Sequence, residues 1–456
     1  MDLVPELRAL VGENGVLTGE RLASRVYDKH VGTVAARVLV RPASTEQVSA
    51  VLRLCHSRGQ PVVPHGGLTG LVYGCSARDT ELILSLELLN RIESVDVAGR
   101  TLRVEAGVTL QRVQEEAERH NLMFPLDLGA RGSATIGGNI STNAGGMRVV
   151  RYGMMRSLVL GLEVVLADGT VLQSLNRMLK NNAGYDLKQL FIGSEGTLGI
   201  VTRADLRLAS RPVSACSAFV ACRDFAAMVG LLGMLDARLG GQLSAFEAMW
   251  PDFYELTTTA PARSSPILPY GHGVYALIEA LGADPEADRE RFERVLADAM
   301  ESGLVVDAVI AKSEADRNAM WAPREDVFQM DRHGTAHSYD VSLAIADMPR
   351  YLEAYHGALR SQFPDAHSVV FGHVADGNLH IVVCAGDAGI QAIEKCVYEP
   401  MRSITGSISA EHGIGLERKP YLEISRTSAE IATMRALKAA LDPRGILNPG
   451  KVIDVH

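Results

Sequence analysis

Two periodicities alternate along the chain and divide it. Apolar residues at helical spacing (Val48, Val51, Leu52, Cys55) follow Ser44-Thr45-Glu46-Gln47, which reads as a capping box. Residues 109–121 repeat the helical pattern, with Leu110, Val113 and Ala117 on one face. β-rich runs at 61–64, 82–86, 92–97 and 102–105 predict short strands. Runs at 159–166 and 170–175 flank Asp168-Gly169 and predict a hairpin; residues 197–208 add a strand. Residues 1–35 read as a helical lead-in.

The texture changes at Arg211-Pro212. Residues 213–223 and 273–281 read as strands, 285–302 and 348–363 as amphipathic helices, and 257–270, rich in Pro, Ser and Thr, as an exposed loop. A last helix is expected at 428–441. This gives a first domain at 1–210, a second at 211–400 and a C-terminal segment at 401–456. A chain of 456 residues is too long for one ordinary core.

One turn near the end of the second domain carries chemistry. In Gly372-His373-Val374-Ala375-Asp376-Gly377-Asn378-Leu379-His380, an Asp-Gly pair stands between two β-rich runs. With Asp376 and Gly377 as the turn, His373 falls directly across from His380. Opposed side chains have Cβ atoms roughly 4.5–5.5 Å apart, close enough for two imidazoles to share a metal at about 2.0–2.1 Å each. Ala410-Glu411-His412-Gly413-Ile414-Gly415 offers a carboxylate and a third histidine. Two His and one Glu leave a divalent ion with open positions, as catalytic sites require. The plainer alternative is two packed or solvated histidines on a hairpin.

Composition narrows the classes. With 47% hydrophobic and 22% charged residues the chain is that of a water-soluble globular protein, and no apolar run approaches the ~20 residues that span a bilayer. The net charge of −9 has no basic block to offset it, which argues against a nucleic-acid partner. The first residues have neither a basic n-region nor an Arg-rich transit character, so a cytoplasmic location is expected. Six cysteines (Cys55, Cys75, Cys216, Cys222, Cys384, Cys396) lie without any Cys-x-x-Cys, which suits a reducing compartment and excludes an iron–sulfur relay of the usual spacing.

Two glycine-rich stretches remain. His65-Gly66-Gly67-Leu68-Thr69-Gly70 follows a strand yet matches neither the dinucleotide fingerprint nor a Walker A. Residues 125–146 read as neither helix nor strand; their glycines permit close approach to a ligand, and Ser133, Thr135, Asn139 and Asn143 supply polar contacts. Two such loops over one sheet suit an extended ligand with a diphosphate and a heterocycle.

These loops, with the stretches 161–170 and 191–200, resemble the flavin-binding domain of the vanillyl-alcohol oxidase type. The segments 372–380, 410–415 and Leu447-Asn448-Pro449 resemble the FAD-linked D-2-hydroxy acid dehydrogenases, and 181–190 is most similar to the D-2-hydroxyglutarate dehydrogenases. The resemblance runs from about residue 36 to 452 and implies an α+β architecture: an FAD-binding domain, a substrate (cap) domain and a C-terminal helical segment completing the active site.

By that resemblance, Gly66, Gly67, Thr69, Gly70, Ser133, Thr135, Gly137, Gly138, Asn139, Gly145, Gly199, Ile200 and Asn448 contact FAD. Relatives that attach flavin covalently use a histidine at the slot held here by Leu68, so noncovalent FAD is expected and His65 is a structural turn residue. The resemblance assigns a divalent metal to His373, His380 and Glu411, with zinc favoured and manganese or cobalt admissible. His412 becomes the catalytic base, and Arg324 the clamp on the substrate carboxylate. It also implies a separate electron acceptor, an electron-transfer flavoprotein or a quinone, and is compatible with a homodimer.

The chain departs from the D-2-hydroxyglutarate group at two positions. Phe328 stands where the family usually has Thr, and Ser338 where it usually has Lys. Both positions serve the distal carboxylate of hydroxyglutarate, so an apolar D-2-hydroxy monocarboxylate is the expected substrate. Three alternatives stay open: a D-2-hydroxyglutarate dehydrogenase, a noncatalytic flavin subunit of a glycolate oxidase-like complex, and a metal hydrolase that leaves the glycine loops unexplained.

Overall fold

Ser44 accepts a hydrogen bond from the N–H of Gln47 and starts the helix Thr45–Arg58, which ends on Gly59 in the left-handed conformation. The structure is a computed structural model that describes residues 3–28, 31–386 and 389–454. The chain forms two units: one holds the residues up to Gly146, Gly153–Arg211 and Glu411 onward, the other Met147–Tyr152 and Pro212–Ala410. Residues 401–410 thus stay with the second unit, while the tail from Glu411 folds with the first.

Among the described residues the first unit has two larger sheets and a two-stranded pair, Leu122–Met123 with Ala209–Ser210. In one, Val16–Thr18, Val38–Val40, Leu82–Ser85 and Val62–His65 lie in that order, parallel except for the first pair. In the other, Ile92–Asp96, Thr101–Glu105, Ile200–Arg207, Val159–Val165 and Val171–Ser174 are antiparallel throughout. The hairpin expected about Asp168-Gly169 forms, with Val165 opposite Val171: the loop is the three residues 167–169, ending on Gly169 at φ 85°, rather than a two-residue turn. Val48, Val51, Leu52 and Cys55 are buried in the same core as Leu110, Val113 and Ala117. In the tail, Thr427 and Glu430 form a reciprocal capping box on the helix Ser428–Leu441.

Two expectations for this unit need correction. The lead-in is not wholly helical: Val16–Thr18 is a strand, held by pairing with Val38–Val40. The stretch 125–146 is not wholly irregular: Ile136–Ser141 is a helix despite two glycines, because Ile136 and Ile140 are fully buried in the core. Tertiary packing overrides the weak propensity of those glycines.

The second unit carries one antiparallel sheet of eight strands, ordered Asp307–Ile310, Ser214–Cys222, Val274–Gly282, Leu243–Met249, His367–His373, Asn378–Cys384, His337–Leu343, Gly406–Ser407. Leu243–Met249 and Asn378–Cys384 are buried at every position, so they show no clean alternation. One face packs Met249, Phe371, Val382 and Cys384 against Phe253, Tyr254 and Leu256 of the helix Pro251–Thr258, Met320 of the helix Glu314–Glu325, and Met330. The loop expected at 257–270 is not exposed at its start, since Thr257 and Thr258 close that helix and are buried. No helix among the described residues is long and apolar enough to cross a membrane.

Candidate functional site

In the first unit, the two glycine-rich stretches wall a cavity of about 360 Å³. Of the cofactor residues read from the sequence, all but Ser133 line it, and Glu411 and His412 line it as well. Three buried polar atoms on its wall have no hydrogen-bond partner: Thr135 Oγ1, Asn139 Nδ2 and Asn448 Oδ1. Buried polar atoms are rarely left unpaired, so a hydroxyl, an amide donor and an amide acceptor facing a shared space fit a polar, extended ligand such as FAD. Leu68, Glu195 and Asn448, also on this wall, hold positive φ angles of 58°, 52° and 41°. Non-glycine residues in that region carry strain that concentrates at ligand clamps.

The tail is tied in from below. Lys438 Nζ donates to Asp442 Oδ2 at 2.5 Å and to the carbonyls of Thr197 and Leu447, each at 2.8 Å. Asp442 accepts from the N–H groups of Ile446 and Leu447 at 3.0 and 2.8 Å. This knot delivers Asn448, whose Nδ2 donates to the carbonyl of Glu195 at 2.7 Å. The Glu195 carboxylate accepts the N–H groups of Ile414 (2.7 Å) and Gly415 (2.9 Å). Burial raises the Glu195 carboxyl above its ordinary value, and those two donors only partly offset it. Gly413 at φ 89° and Gly415 at φ 53° supply the bend that brings both Glu411 and His412 to the cavity wall.

His65 is buried, with Nε2 donating to the carbonyl of Cys75 at 2.8 Å. Burial drives its pKa down to about 4, so it sits neutral and structural.

In the second unit the histidine hairpin forms, but in a shifted register. His380 lies opposite Phe371, not His373, because the connection is Val374–Gly377, centred one residue earlier than a turn on Asp376-Gly377. Val374–Asp376 form a short turn of helix and Gly377 completes it in the left-handed conformation. A shift of two positions keeps both histidines on the same face as diagonal neighbours. Their ring centroids are 5.2 Å apart, edge to face.

Each histidine has an acid opposite it in the sheet: Glu247 pairs in register with His373, and Asp340 with His380. Glu247 Oε1 lies 2.5 Å from His373 Nδ1, and its Oε2 accepts from Arg324 Nε at 2.7 Å. Burial alone would push the Glu247 carboxyl up, but its contacts with His373 and the Arg324 guanidinium hold it below the ordinary carboxylate range. Ligating histidines characteristically donate their other ring nitrogen to such a carboxylate, so His373 fits a metal ligand at Nε2. Arg324 is buried, its guanidinium 4.5 Å over the ring of Phe371.

Glu247 was not found from the sequence. Its signal was there: one acid inside the apolar run Leu243–Met249 needs a buried partner. Phe328, expected to line an apolar pocket, is 76% exposed, on the short turn Val327–His333 where only Met330 is buried. Ser338, also exposed, lies opposite Val382, two positions beyond His380 on the same face.

Comparison with known proteins decides the family. Residues 211–452 match the C-terminal domain of FAD linked oxidases, and residues 36–174 an FAD binding domain. The chain belongs to the FAD-linked oxidases. It is 41% identical over 433 residues to the mitochondrial D-2-hydroxyglutarate dehydrogenase of Bos taurus, covering 92% of this chain and 78% of that one. It is 36% identical over 464 residues to the D-2-hydroxyglutarate dehydrogenase of Stutzerimonas stutzeri, covering 99% and 98%. In fold it is similar to p-cresol methylhydroxylase, with a TM-score of 0.78 at 18% identity over 99% of this chain and 96% of that one. This FAD-linked oxidase therefore has the vanillyl-alcohol oxidase type fold expected from its loops, with mixed helices and sheets, and it is an FAD-linked oxidoreductase.

Proposed function

We propose that this enzyme oxidises D-2-hydroxy acids to 2-oxo acids, using noncovalent FAD and a divalent metal, zinc in first place. The observation that carries the metal is the carboxylate of Glu247 on His373 Nδ1, beside a second histidine 5.2 Å away. Binding a flavin requires neither. His373, His380 and Glu411 are the ligands in this reading.

When bound, FAD supplies the hydride acceptor and the metal the Lewis acidity that makes an α-hydroxyl acidic. The residues of the chain do the rest. Arg324 holds the substrate carboxylate through its guanidinium edge. His412 takes the hydroxyl proton. Gly66, Gly67, Thr69, Gly70, Ser133, Thr135, Gly137, Gly138, Asn139, Gly145, Gly199, Ile200 and Asn448 hold the flavin. Leu68 has no group that could attach it covalently. Electrons leave to a separate acceptor, an electron-transfer flavoprotein or a quinone.

The relatives' names favour D-2-hydroxyglutarate, whereas Phe328 and Ser338 favour an apolar monocarboxylate. The test is turnover of a panel of D- and L-2-hydroxy acids with a dye acceptor, before and after chelator treatment, on protein whose flavin is released by acid. Flavin retained on the denatured chain overturns the noncovalent assignment. Full activity after exhaustive chelation, with metal absent by elemental analysis, overturns metal dependence.

A further inference from the structure

Glu247 is completely buried, and its two oxygens are divided between two partners. Oε1 meets His373 Nδ1 at 2.5 Å and Oε2 meets Arg324 Nε at 2.7 Å. The third side of this triangle is short too: Arg324 Nη2 lies 3.5 Å from His373 Nε2. A guanidinium has no acceptor, so that approach requires the lone pair of His373 to be on Nε2 and its proton on Nδ1. The Glu247 contact requires the same tautomer. Two independent contacts thus agree on which nitrogen could bind a metal, and the guanidinium edge stands beside that nitrogen.

We propose that Glu247 is a positioning residue that couples metal binding at His373 to carboxylate recognition by Arg324. This rests on the metal and clamp roles proposed above and deepens them. One carboxylate sets the tautomer of the ligand and the orientation of the clamp, so metal and guanidinium converge on neighbouring oxygens of one small anion. A 2-hydroxy or 2-oxo carboxylate has oxygens at that spacing; an alcohol without a carboxylate does not. A merely structural Glu247 would neutralise Arg324 but would not need its other oxygen on a histidine.

Glu247→Gln separates the possibilities. The amide keeps an acceptor for His373 Nδ1 but turns an N–H₂ donor against the Nε–H of Arg324, or the reverse if it flips. Either way one partner is lost and the charge that assisted both contacts is gone. The flavin-loaded full chain is stripped with a chelator. Zn²⁺ affinity is then measured by competition with a chromophoric chelator, and oxamate binding by calorimetry at saturating Zn²⁺.

For Glu247→Gln the expected result is Zn²⁺ affinity lower by about 10–100-fold and oxamate affinity at saturating Zn²⁺ lower by on the order of 10-fold, with FAD content unchanged. Arg324→Lys lowers oxamate affinity alone. If Glu247→Gln does not fold, the comparison of Arg324→Met with Glu247→Gln/Arg324→Met, which leaves no buried charge unpaired, carries the test: the second must bind Zn²⁺ more weakly than the first. Wild-type Zn²⁺ affinity in Glu247→Gln, or wild-type oxamate affinity once Zn²⁺ is saturated, overturns the coupling while leaving the metal reading intact. A wild-type chain that takes up no Zn²⁺ overturns the metal reading itself.

Discussion

Arg418 Nη2 lies 3.1 Å from His412 Nδ1, and since a guanidinium only donates, Nδ1 carries a lone pair directed at it. In a neutral ring the proton of His412 then sits on Nε2. For His412 to accept a substrate proton at Nε2, the ring must turn or exchange tautomers as the substrate binds. Arg418, itself fully buried, sets the resting state of the proposed base.

That constraint gives a test. If His412 is the proton acceptor, His412→Ala and His412→Asn should both lose on the order of 10²–10⁴-fold in kcat with FAD content unchanged. Asn keeps an N–H donor but cannot take a proton. Near wild-type turnover in His412→Asn, measured with a dye acceptor, would show that the ring donates a hydrogen bond instead.

The two glycine-rich stretches touch at Gly67, where an added Cβ would overlap the carbonyl oxygen of Ser133 and press on Ala134. Gly67→Ala should therefore force the stretches apart and strip the enzyme of flavin, with FAD affinity reduced at least ~10-fold, as overpacking of this kind costs roughly 1–3 kcal/mol. Gly233→Ala, where a Cβ meets nothing within 4 Å, is the control. Equal FAD occupancy in both, read from the absorption of the bound flavin, would remove the steric argument.

What was legible in the sequence follows from how each feature is encoded. Capping residues, Asp-Gly turns and the apolar stripe at Leu110, Val113 and Ala117 act locally, so they could be read residue by residue. The glycine stretches, His373, His380 and His412 were visible as chemistry-bearing types in turn-like surroundings. The hairpin register was not, because Asp376-Gly377 fits a two-residue turn as well as the end of a four-residue one. Glu247 was missed because its partners lie far away in the chain, where no periodicity points; Lys438 and Asp442 stand at i,i+4 spacing, but the backbone groups they anchor, at Thr197 and Leu447, lie outside their helix. The helix Ile136–Ser141 shows the same limit: burial of Ile136 and Ile140 decides it, not propensity.

Lys438 and Asp442 are both buried, and removing one partner of a buried pair costs about 3–5 kcal/mol. Lys438→Met should lower unfolding stability by that order and raise the fraction of protein lacking FAD, because the Leu447 carbonyl beside Asn448 loses its donor. Denaturant unfolding and flavin content check it. A stability change under about 1 kcal/mol would mean the Lys438–Asp442 contact is solvated.

His65 predicts a pH dependence. Burial lowers its folded pKa from 6.5 to about 4, so the folded state binds its proton less readily than the unfolded chain. Its contribution is intact above pH 6.5 and is lost as pH falls from 6.5 towards 4, by about 3 kcal/mol at 1.36 kcal/mol per unit, with no further loss below. His65→Asn, unable to titrate, should flatten that part of the stability curve. An unchanged slope between pH 6.5 and 4 would place the responsible group elsewhere.

Substrate choice turns on what lies beyond His380. The strand register puts Ser338 opposite Val382, two positions on from the Asp340–His380 pair and on the same face, so the two side chains next along the strands from that pair carry no charge. Neither can neutralise a second carboxylate, and leaving that charge unpaired in a partly dry pocket is costly. Phe328 is 76% exposed, which leaves it available to cover an apolar side chain rather than to pair with a charge. D-2-hydroxy monocarboxylates with apolar side chains should therefore exceed D-2-hydroxyglutarate in kcat/KM, and L-enantiomers should be poor throughout. Ser338→Lys with Phe328→Thr should reverse the order of the first two by raising kcat/KM for the dicarboxylate on the order of 10-fold, the scale of one charge-assisted hydrogen bond. Kinetics on D-2-hydroxyglutarate, D-lactate and longer apolar analogues decide it. Preference for the dicarboxylate in the unaltered enzyme would mean that a cation other than one at position 338 meets its distal carboxylate, and the double variant would then gain nothing.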